Sequence, residues 1–81
     1  MKLFHYIIRD DEINETQGEI HTIPSDFIEY KASMMGERVF YKVKNGTLRE
    51  IIAEAGDAEN AEQRANEFLA GFNVNISLGM P

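Results

Sequence analysis

The sequence predicts an α+β fold, and three observations carry that expectation. Residues 2–9 form an apolar, β-branched run, Asn45-Gly46 separates two alternating segments, and residues 57–70 make an alanine-rich amphipathic stretch. Together they call for an antiparallel sheet of four to six strands, a meander with an Asn-Gly hairpin, and one helix packed across it. At 81 residues the chain is expected to be a single domain, 1–81, near the lower end of what folds alone. With 43% hydrophobic and 27% charged residues it falls in the globular range, outside the disordered one.

In residues 2–9, Phe4, Tyr6 and Ile8 alternate with Leu3, His5 and Ile7. Both faces are partly apolar, which places this strand inside the sheet. Residues 10–18 are acidic and lack periodicity, so they are expected to be a loop. Residues 19–23 alternate, and Pro24 ends that strand or confines it to an edge. Residues 25–35 admit two readings. The alternation of Ile28, Tyr30, Ala32 and Met34 favours a strand, whereas Ser25 and Gly36 could cap and close a helix.

Asn-Gly is the strongest short hairpin signal, because a type I′ turn needs φ > 0 at both central residues. Regular pairing around Asn45-Gly46 sets Lys44 opposite Thr47, Val43 opposite Leu48, Lys42 opposite Arg49 and Val39 opposite Ile52. Val39, Tyr41, Val43, Leu48 and Ile52 would then face the core, with Phe40, Lys42, Lys44, Arg49 and Ile51 on the wetter face. Asp57 suits a helix N-cap, Glu59 the positive end of the helix dipole, and Gly71 a C-terminal stop. Ala58, Ala61, Ala65, Phe68 and Leu69 form the apolar stripe of that helix. The alternation of Phe72, Val74, Ile76 and Leu78 predicts a final strand over 72–78, with 79–81 as a tail.

Composition narrows the function classes. The chain has no cysteine, which excludes disulfides, a thiolate nucleophile and thiolate zinc sites. The apolar run 3–8 is too short for a secretory core of about 7–15 residues or a membrane span of about 20. A cytoplasmic chain that makes no membrane contact is therefore expected.

Charge is sorted into blocks along the chain. Residues 10–29 hold seven acids and no Lys or Arg, residues 30–49 hold five bases against Glu37, and residues 50–81 hold six acids against Arg64. Sorted charge gives a small domain a polarised surface that steers partners. The candidate binding residues are the acidic loop residues Asp10, Asp11, Glu12 and Glu15, the basic hairpin residues Lys42, Lys44 and Arg49, and the helix carboxylates Glu59, Glu62 and Glu67. Lys42 facing Arg49 is unfavourable unless an anion lies between them. That anion could be the chain's own loop 10–19 or an acidic partner. Nucleic acid is disfavoured, since the net charge is −6 and phosphate binding normally accompanies a basic domain. Tyr30, Met34 and Met35 could serve equally as an adaptable contact patch or as core filler.

No catalytic or metal-binding set is expected. His5 and His21 sit at strand alternation points, where an ordinary partly buried histidine is the default. His21, Ser25 and Asp26 are near in sequence but are interrupted by Pro24, and no glycine-rich turn offers oxyanion donors. Counted as a calcium loop from Asp10, the sixth and twelfth places hold Glu15 and His21 where Gly and Glu are required. No phosphate-cradling loop occurs, and no cofactor is expected.

Residues 49–56 (Arg49-Glu50-Ile51-Ile52-Ala53-Glu54-Ala55-Gly56), followed by the alanine-rich helix and Gly71-Phe72-Asn73-Val74, resemble a strand–helix–strand unit. That unit occurs in small bacteriophage-encoded host-inhibitor and anti-CRISPR-type proteins. The resemblance covers about 30 residues and carries no functional residue across. It implies a non-enzymatic inhibitor that occupies the surface of a host protein or ribonucleoprotein. A nucleic-acid-binding module using the basic hairpin, or a homodimer built through an edge strand, are the alternatives.

Overall fold

The computed structural model describes residues 1–30 and 38–77, with side chains as far as residue 72. Five strands, β1 (Lys2–Arg9), β2 (Glu12–Ile20), β3 (Ile28–Tyr30), β4 (Val39–Lys44) and β5 (Thr47–Ala55), precede one helix, α1 (Ala58–Ser77). The strands form one antiparallel sheet in the order β2-β1-β5-β4-β3, and α1 packs on one of its faces. The fold is α+β, as expected, and β1 lies in the sheet interior.

Phe4, Tyr6 and Ile8 of β1, Ile51, Ala53 and Ala55 of β5, and Val39 of β4 bury against Ala61, Ala65 and Leu69 of the helix. The alanines let α1 lie close to the strands. Tyr6 is buried in that contact; burial, and secondarily the nearby Glu62 carboxylate, push its phenol up to about 12. Asp57 caps the helix, its side-chain Oδ1 accepting the Asn60 amide at 2.9 Å.

Four expectations need correction. First, the expected loop 10–18 is a loop only at Asp10 and Asp11, a two-residue turn with φ of 52° and 62°; residues 12–18 belong to the edge strand β2. Asn14 and Gln17 are extra residues in its pairing with β1, so β2 carries two bulges. The second bulge adjoins Gly18, whose φ of +87° a side chain would strain. Bulges and glutamates on an edge both discourage strand addition.

Second, the strand expected over 19–23 stops at Ile20, so His21 lies in an exposed bend and not at mid-strand. Third, the β4–β5 hairpin is not regular. Val43 opposes Leu48, but Lys42 opposes Glu50, Tyr41 opposes Ile51 and Val39 opposes Ala53. Arg49 is the extra residue of a bulge, and every later residue of β5 changes face relative to the regular pairing. Ile51 joins the helix-side core in place of Ile52, which is buried on the opposite face.

Fourth, residues 72–77 are not a strand, because α1 continues through Gly71 to Ser77. One helical turn separates Phe68 from Phe72, which lets both rings reach Tyr41, at 5.2 and 6.1 Å between centroids. That aromatic contact offsets the roughly 1 kcal/mol that glycine costs inside a helix. Of the ambiguous segment 25–35, residues 28–30 form a strand; 31–35, with Met34 and Met35, and the tail 79–81 lie outside the described residues. No helix among the described residues is long and apolar enough to cross a membrane.

Candidate binding surface

Strand alternation gives the sheet two faces of different character. On the helix face, the sheet edge at β3 and β4 ends in a cluster of rings. Tyr30 meets Phe68 edge to face at 5.1 Å, and Tyr41, Phe68 and Phe72 are within 6.1 Å of one another. Ile28 opposes Tyr41 in register, and Val43 lies two residues along β4 on the same side. Ile28, Tyr30 and Val43 remain 52%, 43% and 36% exposed, although each belongs to a type that folding normally buries. Among the described residues they flank the ring cluster at the β3–β4 side of the sheet.

The rear face carries a seam of charge. The Glu50 carboxylate is its hub, with Oε1 2.7 Å from His5 Nε2 and Oε2 3.6 Å from Lys42 Nζ. Lys42 Nζ reaches Asp26 at 2.9 Å. The hydrogen bond between them, foremost, holds the Asp26 carboxyl below its usual range and raises Lys42. Four residues further along both strands, Arg38 grips Glu54 with Nε at 3.3 Å and Nη2 at 3.1 Å, while its backbone N–H donates to the same carboxylate at 3.0 Å. Those hydrogen bonds lead the lowering of Glu54 and the raising of Arg38. The Arg38 guanidinium also sits 5.2 Å over the Phe40 ring.

The candidate residues are thereby redistributed. Lys42 does not face Arg49, because the bulge turns it toward Glu50; its anionic neighbours are Asp26 and Glu50, not residues 10–19. Lys44 and Arg49 are exposed near the hairpin tip. Asp10 and Asp11 occupy the β1–β2 turn, and Glu12 and Glu15 are exposed along the β2 edge. Since Ile7 opposes Glu50 in the antiparallel β1–β5 ladder, the acidic turn and the basic tip project from the same end of the sheet. Glu59, Glu62 and Glu67 are all exposed on α1 but do not form one row. At about 100° per residue, Glu67 lies roughly 140° around the helix from Glu62.

Sequence reasoning left Ile28, Val43, Glu50, Glu54 and Arg38 out of the candidate set, and kept Asp26 only as part of an unlikely triad. Two of the contacts that place them, Arg38–Glu54 and His5–Glu50, join residues 16 and 45 positions apart across the sheet. Of the patch residues, Tyr30 reads from the sequence, with Met34 and Met35, equally as a contact residue and as core filler.

Among the described residues no group of three or more His, Cys, Asp or Glu side chains is arranged to hold a metal ion. Comparison with protein-family models, curated proteins and solved structures found no match.

Proposed function

We propose that this chain is a small non-enzymatic binding protein that acts by protein–protein contact, with the aromatic patch at the β3–β4 edge as its contact core. The observation that carries this reading is the exposure of Ile28, Tyr30 and Val43 beside the Tyr41–Phe68–Phe72 rings. Contiguous exposed apolar surface marks interaction sites, and aromatic side chains supply much of the energy at such contacts. The acidic turn and the basic tip at one end of the sheet serve to orient an incoming partner. The resemblance of residues 49–69 to small bacteriophage inhibitors, whose final strand is helix in this chain, makes a host protein or ribonucleoprotein the proposed target, blocked by surface occupation.

Capture from host lysate with the wild type and with Ile28→Ser/Val43→Ser tests this reading. The double variant is expected to keep its unfolding midpoint and to lose the captured partner. Lys44→Glu/Arg49→Glu should slow capture and alter its salt dependence. Equal capture by the wild type and the double variant, or no capture by the wild type, would refute the assignment.

A second reading, an acid–base site, has one observation in its favour: the 2.7 Å contact between His5 and Glu50. Against it, the Phe27 ring rests edge-on against the imidazole at 5.9 Å, and Lys42 shares the Glu50 carboxylate. Turnover of an ester, phosphoester or glycoside substrate that is abolished by His5→Gln would replace the binding reading. The nucleic-acid alternative is weakened by the pairing of Lys42 with Asp26, and a dimer through β2 is opposed by its bulges and glutamates.

A further inference from the structure

Residues 24–27 make a tight turn, closed by the Phe27 N–H donating to the Pro24 carbonyl at 3.2 Å. Two consecutive side chains of this turn grip strands on either side of β5. Asp26 bonds Lys42 of β4, and Phe27 packs edge-on against His5 of β1. Because β1 and β4 flank β5 in the sheet, the turn crosses β5 on the rear face. The residues of β5 beneath it are Glu50 and Ile52, since His5 and Phe40 both oppose Ile52. Ile52 has no exposure, although it lies on the face away from the helix.

Both grips converge on one group. His5 and Lys42 are each within reach of a different oxygen of the Glu50 carboxylate. Each anchor of the turn engages a side chain that Glu50 also engages. We propose that residues 24–27 are a releasable strap over the rear face of the sheet and that Glu50 is its latch, a positioning residue acting through His5 and Lys42. With the latch intact, Lys42 is aimed at Asp26 and the imidazole is held nearly perpendicular to the Phe27 ring. With the latch broken, both contacts loosen together, and the turn lifts about the joint before β3. The lifted strap uncovers Ile52 on the face opposite the aromatic patch.

Amide hydrogen exchange by NMR on the full chain tests the latch. Glu50→Gln is expected to speed exchange of the Phe27 amide by about tenfold and to raise binding of an apolar dye, while the Ile51 and Ala53 amides stay unchanged. Asp26→Asn removes one grip only and should speed Phe27 by about threefold. Adding it to Glu50→Gln should produce less than the product of the two, because both act on the same contact. Glu54→Gln breaks the neighbouring ion pair on the same face and should leave Phe27 at the wild-type rate. The proposal is overturned if Phe27 exchange is unaffected by Glu50→Gln, or rises equally in Glu54→Gln. It also fails if Glu50→Gln speeds every amide alike and Asp26→Asn has no effect on Phe27.

Discussion

Deleting Arg49 from the middle of β5 is expected to leave the protein folded, which an ordinary strand would not tolerate. In β5 both Arg49 and Glu50 stand opposite Lys42, and the ladder with β1 extends only as far as Glu50. Removing Arg49 therefore straightens the hairpin without changing which face any later residue occupies. The loss is one exposed side chain and the local twist of a bulge, about 1 kcal/mol or less. Were Arg49 instead paired in register like Ala53, the same deletion would turn Ile51, Ala53 and Ala55 away from the helix. Expelling one isoleucine from a core costs about 2–3 kcal/mol, and two alanines plus the charges driven inward bring the loss beyond about 5 kcal/mol. A small domain with roughly 5–15 kcal/mol of stability would be largely unfolded by that change. Urea unfolding followed by circular dichroism separates the cases, with deletion of Ala53 as the control. Ala53 is paired on both sides, with Phe4 and with Val39, so its loss must shift the register. If both deletions unfold the protein equally, Arg49 is not a bulge residue.

Three further outcomes follow from the core and the rear face. Tyr6 has a phenol pushed up to about 12, so its stabilising contribution is complete below about pH 10 and is lost as pH rises toward 12. Against Tyr6→Phe, wild-type stability should fall by about 1.4 kcal/mol per pH unit across that window in urea titrations; parallel curves would refute it. Gly71→Ala should raise the melting temperature by about 4 °C, since position 71 is helical and has no neighbour within 4 Å of an added Cβ. A fall in melting temperature would mean that the helix stops at Gly71. The lowered Glu54 carboxyl contributes stability above its unfolded titration range, which is lost as pH falls through its folded value. Glu54→Gln should cost about 1 kcal/mol at neutral pH, with half-exposed Arg38 limiting the gain, and should flatten the acid limb of the stability curve.

What could be read from the sequence was what short-range chemistry fixes. β1 announces itself by six consecutive strand formers, the hairpin turn by Asn45-Gly46, and the helix start by Asp57. Elements decided by distant partners were missed. The Asp10-Asp11 turn takes the same positive φ values as Asn-Gly without containing glycine. The polar strand after it has almost no buried side chain to impose a period. Nothing local marks Arg49 as an extra residue; the bulge reconciles the facing of Val43 and Leu48 near the turn with that of Ile51 against the helix. At Gly71 the local stop signal was overridden by contacts of Phe72 with rings on α1 and β4.

The same long-range pairing changes what the charge blocks mean. Along the chain, residues 30–49 stand out as basic. In space, Arg38 and Lys42 are answered by Glu54, Glu50 and Asp26, drawn from the two acidic blocks on either side. Antiparallel pairing brings oppositely charged blocks side by side, so sorting along the chain becomes cancellation across the rear face. Among the described residues, exposed charge outside that seam includes the β1–β2 turn and the hairpin tip, where the strands reverse, as well as the β2 edge and the outer face of α1. Exposed charges of this kind, screened over about 8 Å at physiological salt, guide an approach more than they hold a complex. The holding energy of a complex must come from elsewhere, and the surface with apolar area to supply it is the ring cluster beside Ile28 and Val43. Charge block and apolar patch thus take different parts in the proposed contact, one setting how partners meet and the other how long they stay.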